Sequence, residues 1–169
     1  SAFNTYLAPS VVQHLMDDPQ RLALGGESRR MTFVFTDIAD FTTFSESFKA
    51  KELVSLLNAY LDGMCNIVIA HKGTIDKFIG DALFVVFNAP VKQEDHAERA
   101  VNCALALDKF CLDFAVRQRG NGIPFGNTRI GVNTGKAVVG NFGGSARFDY
   151  TAIGDAVNTA ARLEGMNKY

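Results

Sequence analysis

Apolar and polar positions along this chain switch between a period of two and a helical period, and the switches outline its elements. The run Met31-Thr32-Phe33-Val34-Phe35-Thr36 predicts a strand over 31–36. From Lys51 to His71, apolar residues recur at 53, 56, 57, 60, 61, 64, 67 and 68, a helical spacing with one buried face that Lys72-Gly73 stops. Residues 74–88 read as two strands around Gly80-Asp81, a hairpin by spacing. A second long helix fits 94–118, with Ala97, Ala100, Val101, Ala104, Leu107, Cys111 and Phe114 on one face and Gly120-Asn121-Gly122 ending it. Strands over 128–133 and 137–142 follow, joined by a turn at Asn133-Thr134-Gly135-Lys136. Gly140-Asn141-Phe142-Gly143-Gly144 and the adjoining Ser145 read as a loop. A short strand near 148–152 then leads into a helix from about Asp155.

The order β-α-β-β-α-β predicts an α+β domain with the ferredoxin-like, split βαβ topology, an antiparallel-rich sheet with helices on one face. Ahead of it, a short apolar pattern over 4–18 ends at Pro19, and Gly25-Gly26-Glu27-Ser28 reads as a loop. Residues 1–28 are therefore expected to be a connector arriving from an upstream regulatory region.

Composition narrows the picture. The 169 residues suit one domain with a sizeable core, and 47% hydrophobic content with 14 phenylalanines argues against disorder. A net charge of −1 gives no electrostatic case for nucleic acid or an anionic membrane surface. Cys65, Cys103 and Cys111 lack C-x-x-C spacing and read as free thiols in a reducing compartment. The expected location is cytoplasmic, with the parent protein either free there or membrane-anchored. No apolar run approaches the roughly 20 residues of a membrane span.

Two aspartates carry the first chemical signal. Asp37 closes one oily strand and Asp81 opens another, positions where carboxylates need a partner. At converging strand ends they suit a hard divalent cation, and hence phosphate chemistry. Taken singly, Asp37 also fits a helix cap ahead of Phe41, and Asp81 a turn residue. Asn158 and Arg162 lie at i and i+4 and project from one helix face. An amide beside a guanidinium suits an anionic oxygen array, but spacing alone favours a solvated face with Arg162 paired to Glu164 or Asp155. Gly131-Val132-Asn133-Thr134-Gly135-Lys136-Ala137 falls short of a phosphate-binding P-loop: it lacks one residue between the glycines, and Ala137 stands where Ser or Thr is required. His14, His71 and His96 have no ligand spacing.

Four stretches in register make a more specific pattern: Phe35-Thr36-Asp37-Ile38 with Phe41-Thr42; Lys77-Phe78-Ile79-Gly80-Asp81; Arg129-Ile130-Gly131 with Gly135; and Asp149-Tyr150-Thr151, Gly154-Asp155, Val157-Asn158 and Ala160-Ala161-Arg162-Leu163-Glu164. Over residues 29–169 the chain resembles the catalytic domain of class III nucleotidyl cyclases, bacterial adenylate cyclases especially. The resemblance implies that Asp37 and Asp81, with the Ile38 carbonyl, hold two Mg2+ or Mn2+ ions, and that Arg129 and the backbone amides of Ala39, Asp40, Phe41 and Thr42 receive the triphosphate. It further implies that Asn158 orients the ribose and Arg162 neutralises charge on the α-phosphoryl group. Lys77 and Thr151 match the pair that reads the base, with adenine, and so ATP, expected over guanine. Threonine at 151, where many members have Asp, resembles a subgroup often stimulated by bicarbonate. In this family the site is shared between two chains, so a homodimer is the expected partner arrangement. Two departures stand out: Asp40 replaces the usual glycine, and the closing strand pair with its phosphate-binding lysine is not in the sequence. The alternatives are a guanylate cyclase, or a silent module that binds ATP or only dimerises.

Overall fold

The computed structural model describes residues 25–144 and 147–167. In chain order the elements are β1 (Gly25–Ile38), α1 (Phe41–Glu46), α2 (Ala50–Ala70), β2 (Thr74–Ile79), β3 (Ala82–Phe87), α3 (His96–Gly120), β4 (Thr128–Gly144), β5 (Arg147–Ile153) and α4 (Asp155–Met166). The strands form one five-stranded sheet in the order β2-β3-β1-β4-β5, each neighbouring pair antiparallel. Its first four strands have the expected split βαβ order, with β1 central.

Side chains alternate across β1 and divide the core in two. Val34 and Ile38 join Tyr60, Met64 and Val68 of α2 and Ala100, Cys103 and Leu107 of α3. Met31 and Phe33 point the other way and join Phe84, Val86, Ala137 and Val139 with Val157 and Ala160 of α4. The two long helices thus share one face as expected, and α4 adds a layer on the opposite face.

Several expectations need correction. Residues 133–136 do not turn: β4 runs unbroken and pairs with β1 from Thr128↔Ile38 to Asn141↔Gly25. A two-residue hairpin turn needs positive φ; among the described glycines only Gly80, Gly122 and Gly154 have it, and none of Asn133 to Lys136 does. Gly131 and Gly135 serve close packing instead: a Cβ on Gly131 would stand 2.3 Å from the Ala160 carbonyl oxygen, and one on Gly135 would stand 2.6 Å from Ala156 Cβ. Gly25 to Ser28 and Gly140 to Gly144 are likewise strand, because each segment supplies the other's ladder partner or pairs with β5. By length and composition α2 could cross a membrane, contrary to expectation, but Tyr60, Met64 and Val68 seat it on the sheet. The pattern over 4–18, His14 and Ser145 lie outside the described residues. Cys65, Cys103 and Cys111 are free thiols; burial pushes Cys103 up to about 12 and Cys65 up to about 11.

Candidate active site

Asp37 and Asp81 meet at one end of the sheet. Asp37 stands near the end of β1, opposite Arg129 near the start of β4. Asp81 follows Gly80, whose φ of +62° turns the β2–β3 hairpin. The Ile38 N–H donates to Asp81 Oδ2 at 2.7 Å, which pins the hairpin to the end of β1. Burial raises the Asp81 carboxyl above its ordinary value; the Ile38 N–H and its own backbone N–H oppose this, and the nearby charge of Asp37 adds to the rise. Two converging carboxylates, one of them partly desolvated, form a hard-oxygen donor set whose charge a divalent cation would relieve. No larger group of His, Cys, Asp or Glu able to hold a metal occurs among the described residues.

Arg129 grips Asp37 in a fork: Nε donates to Oδ1 at 2.7 Å and Nη2 donates to Oδ2 at 3.0 Å. These bonds lead the rise in the Arg129 pKa. Glu164 Oε1 of α4 approaches the same Nε to 3.3 Å. The capping alternative for Asp37 falls away, since Asp40 holds the N-cap position of α1 and Asp37 faces Arg129. Below Arg129, the Tyr60 hydroxyl shares a 2.6 Å hydrogen bond with Thr128 Oγ1, which ties α2 to the start of β4.

The loop after β1 explains one departure from the family pattern. Asp40 adopts the left-handed conformation, φ 56° and ψ 28°, a region open to glycine and tolerated by Asp and Asn more than by other residues. Its exposed carboxylate is near enough to Arg129 to help raise that group's pKa. The Ala39 N–H donates to the Asn127 carbonyl at 2.8 Å, so this amide is already engaged. The amides of Asp40, Phe41 and Thr42 open the first turn of α1, where a helix offers no internal acceptor. Gly126 lets the neighbouring chain lie close here: a Cβ on it would stand 2.1 Å from the Ala39 carbonyl oxygen.

The other candidates gather elsewhere. Ala160 is fully buried and Glu164 points toward Arg129, so these residues mark the inner face of α4. Asn158 and Arg162 lie roughly half a turn away from that face, and both are exposed. Arg162 Nε donates to the Asn158 carbonyl at 3.5 Å. The expected alternative pairing of Arg162 with Glu164 gives way to the contact between Glu164 and Arg129. Lys77 lies on β2 with its side chain 45% exposed. Thr151 pairs through its backbone with Gly140, and its side chain lies outside the described residues. The strands bearing Lys77 and Thr151 are the two edges of the sheet, yet they meet, because the Ala152 N–H donates to Asp76 Oδ2 at 3.3 Å.

Sequence reasoning missed Asp76 and the inward role of Glu164. Asp76 carried a weaker signal: an acid after Ile75 inside a short strand, but with Lys77 beside it, so the apolar setting that singled out Asp37 and Asp81 is only half present.

Comparison with known proteins agrees with this geometry. Residues 26–168 match the family model described as adenylate and guanylate cyclase catalytic domain. The chain is 49% identical over 140 residues to "Adenylate cyclase 1" of Rhizobium meliloti (strain 1021), a match covering 83% of this chain and 21% of that protein. This chain therefore spans about a fifth of that relative's length. Among solved structures, it is similar to the adenylyl cyclase CyaB from P. aeruginosa, with a TM-score of 0.80 and 41% identity over 85% of this chain and 74% of that one. It is similar also to the guanylyl cyclase Cya2, with a TM-score of 0.78 and 38% identity over 85% and 73% of the two chains. With a matching sheet, a matching family pattern and the convergent aspartates, the chain belongs to the adenylate and guanylate cyclase catalytic domain family.

Proposed function

We propose that this domain is an adenylate cyclase that converts ATP to 3′,5′-cyclic AMP and pyrophosphate, working as a homodimer with shared sites. The observation that carries the reading is the division of the functional groups. Asp37, Asp81 and Arg129 converge at one end of the sheet, while Asn158 and Arg162 face outward from α4. Each half lacks what the other offers, so a second copy completes a site that one copy cannot.

In the proposed reaction the ribose 3′-oxygen forms a bond to the α-phosphorus, the bond from that phosphorus to the bridging oxygen breaks, and pyrophosphate leaves. The 3′-hydroxyl proton passes to solvent. Asp37, Asp81 and the Ile38 carbonyl would hold two Mg2+ or Mn2+ ions, and their donor set fits hard cations that retain water and phosphate ligands. When bound, the ions supply Lewis acidity that lowers the pKa of the hydroxyl and offsets triphosphate charge. Arg129 exchanges its fork on Asp37 for phosphate oxygens, helped by the first-turn amides of Asp40, Phe41 and Thr42. From the partner copy, Asn158 orients the ribose and Arg162 meets the charge that grows on the α-phosphoryl group.

Lys77 and Thr151 favour ATP. A lysine can donate to a ring nitrogen of adenine, and a threonine hydroxyl can accept from its 6-amino group. The adenylate cyclase name of the Rhizobium relative points the same way. A response to bicarbonate is part of this proposal, carried by threonine at 151, as are a cytoplasmic site of action and an upstream regulatory domain.

The test is product analysis of the purified chain incubated with ATP or GTP and Mn2+. Cyclic AMP from ATP with little cyclic GMP from GTP is expected. Cyclic GMP as the main product would replace the reading with a guanylate cyclase. No product, with nucleotide still bound, would favour a silent module.

A further inference from the structure

Asp76 is the extra residue of a bulge in β2. Ile75 pairs with Val85 and Lys77 with Phe84, so the register advances two residues on β2 for one on β3. A bulge bends its strand and re-aims the extra side chain. That side chain is only 3% exposed, a depth at which a carboxylate needs partners. Its Oδ2 accepts the Ala152 N–H at 3.3 Å, and its Oδ1 lies 3.8 Å from Lys77 Nζ.

These contacts do something the ladder does not. Three strands separate β2 from β5 in the sheet order, so backbone pairing leaves the spacing between the two edges open. The carboxylate spans that gap directly. It satisfies an edge N–H of β5 next to Thr151 and holds the ammonium of Lys77, its own neighbour in sequence. We infer that Asp76 is a specificity-positioning residue: from the bulge it fixes where Lys77 and Thr151 stand relative to each other, and so which purine their hydrogen bonds accept. Discrimination between adenine and guanine rests on donors and acceptors lying within hydrogen-bond distance of the correct ring atoms. A loosened edge-to-edge spacing therefore lowers selectivity before it lowers the chemistry. This inference rests on the proposed reading of Lys77 and Thr151 as the base-selecting pair.

The experiment compares wild type, Asp76→Ala and Asp76→Asn for kcat/KM with ATP and with GTP, each in Mn2+. In Asp76→Ala the ATP-to-GTP ratio should fall about tenfold or more, mainly through a raised KM for ATP. Asp76→Asn keeps an oxygen for the Ala152 N–H and loses the charge beside Lys77, and should fall by about threefold. An unchanged ratio in both variants, even with turnover lowered, overturns the inference, because a merely structural loss affects both nucleotides alike. If Asp76→Ala does not fold, the ratio in Asp76→Asn decides, and a wild-type value overturns it. A wild-type chain that makes mainly cyclic GMP overturns the base-reading assignment and the inference with it, whereas an unchanged ratio in the variants overturns the inference alone, so the two failures are distinct.

Discussion

Arg129 holds Asp37 through two hydrogen bonds, 2.7 Å and 3.0 Å long, across the β1–β4 ladder. The guanidinium thus stands where the proposal puts a cation, and it must release the carboxylate when one binds. Arg129→Ala should therefore have opposite effects on two quantities. Mn2+ affinity without nucleotide, read by electron paramagnetic resonance, should rise several-fold. A charge-assisted bond of about 1.5–3 kcal/mol to phosphate is lost at the same time, so kcat/KM for ATP should fall roughly ten- to hundredfold. A variant that weakens both alike would show that Arg129 only builds the site.

The seat of α4 gives a second prediction. Gly131 leaves no room for a side chain, since its Cβ would lie 2.3 Å from both the Ala160 oxygen and the Glu164 nitrogen. Gly131→Ala should cost about 1–3 kcal/mol by overpacking and should cut turnover by shifting the helix that carries Asn158 and Arg162. A Cβ on Gly165, in the same helix, would meet nothing within 4 Å. Gly165→Ala should stabilise by roughly 0.4–1 kcal/mol. Urea unfolding of the two variants checks both signs.

Acid sensitivity should trace in part to His96. Its ring shares a 2.7 Å hydrogen bond with Thr32 Oγ1. Burial first, and the charge of Arg30 second, hold its pKa below the ordinary 6.5, against a smaller opposing pull from Asp95. The unfolded chain therefore binds the proton more readily than the folded one. The histidine's contribution is complete above the unfolded pKa and is lost as pH falls through the lower folded value. Thermal unfolding from pH 7 to about pH 5 should show a falling midpoint, with a shallower fall in His96→Gln.

Much of the fold was legible because its burial is periodic. The buried face of α2 is read from apolar spacing alone, and Gly80 marks its hairpin because the turn needs its positive φ. On α3 the spacing is right at Ala100, Leu107, Cys111 and Phe114, but Ala97 and Val101 are exposed, and Cys103 and Ala115 are buried in their place. The single strand β4 was not legible. Asn133 to Lys136 has the composition of a turn, and only the packing of α4 shows that the glycines beside it make room for a helix. Likewise, Gly25 to Ser28 looks like a linker until its partner residues 138 to 141 are known. Within the site, Asp37 and Asp81 could be picked out by chemistry at strand ends. Asp76 and Glu164 act across long sequence separations, and spacing carries no trace of those contacts.

The central claim is that one copy supplies the aspartates and another supplies Asn158 and Arg162. The most direct test mixes Asp37→Ala with Arg162→Ala and measures cyclic AMP formation from ATP. Each variant alone should be inactive. Random exchange makes half the dimers mixed, each with one whole site, so about a quarter of the wild-type rate should return. No recovery, with mixed dimers shown to form, would contradict a site shared between chains.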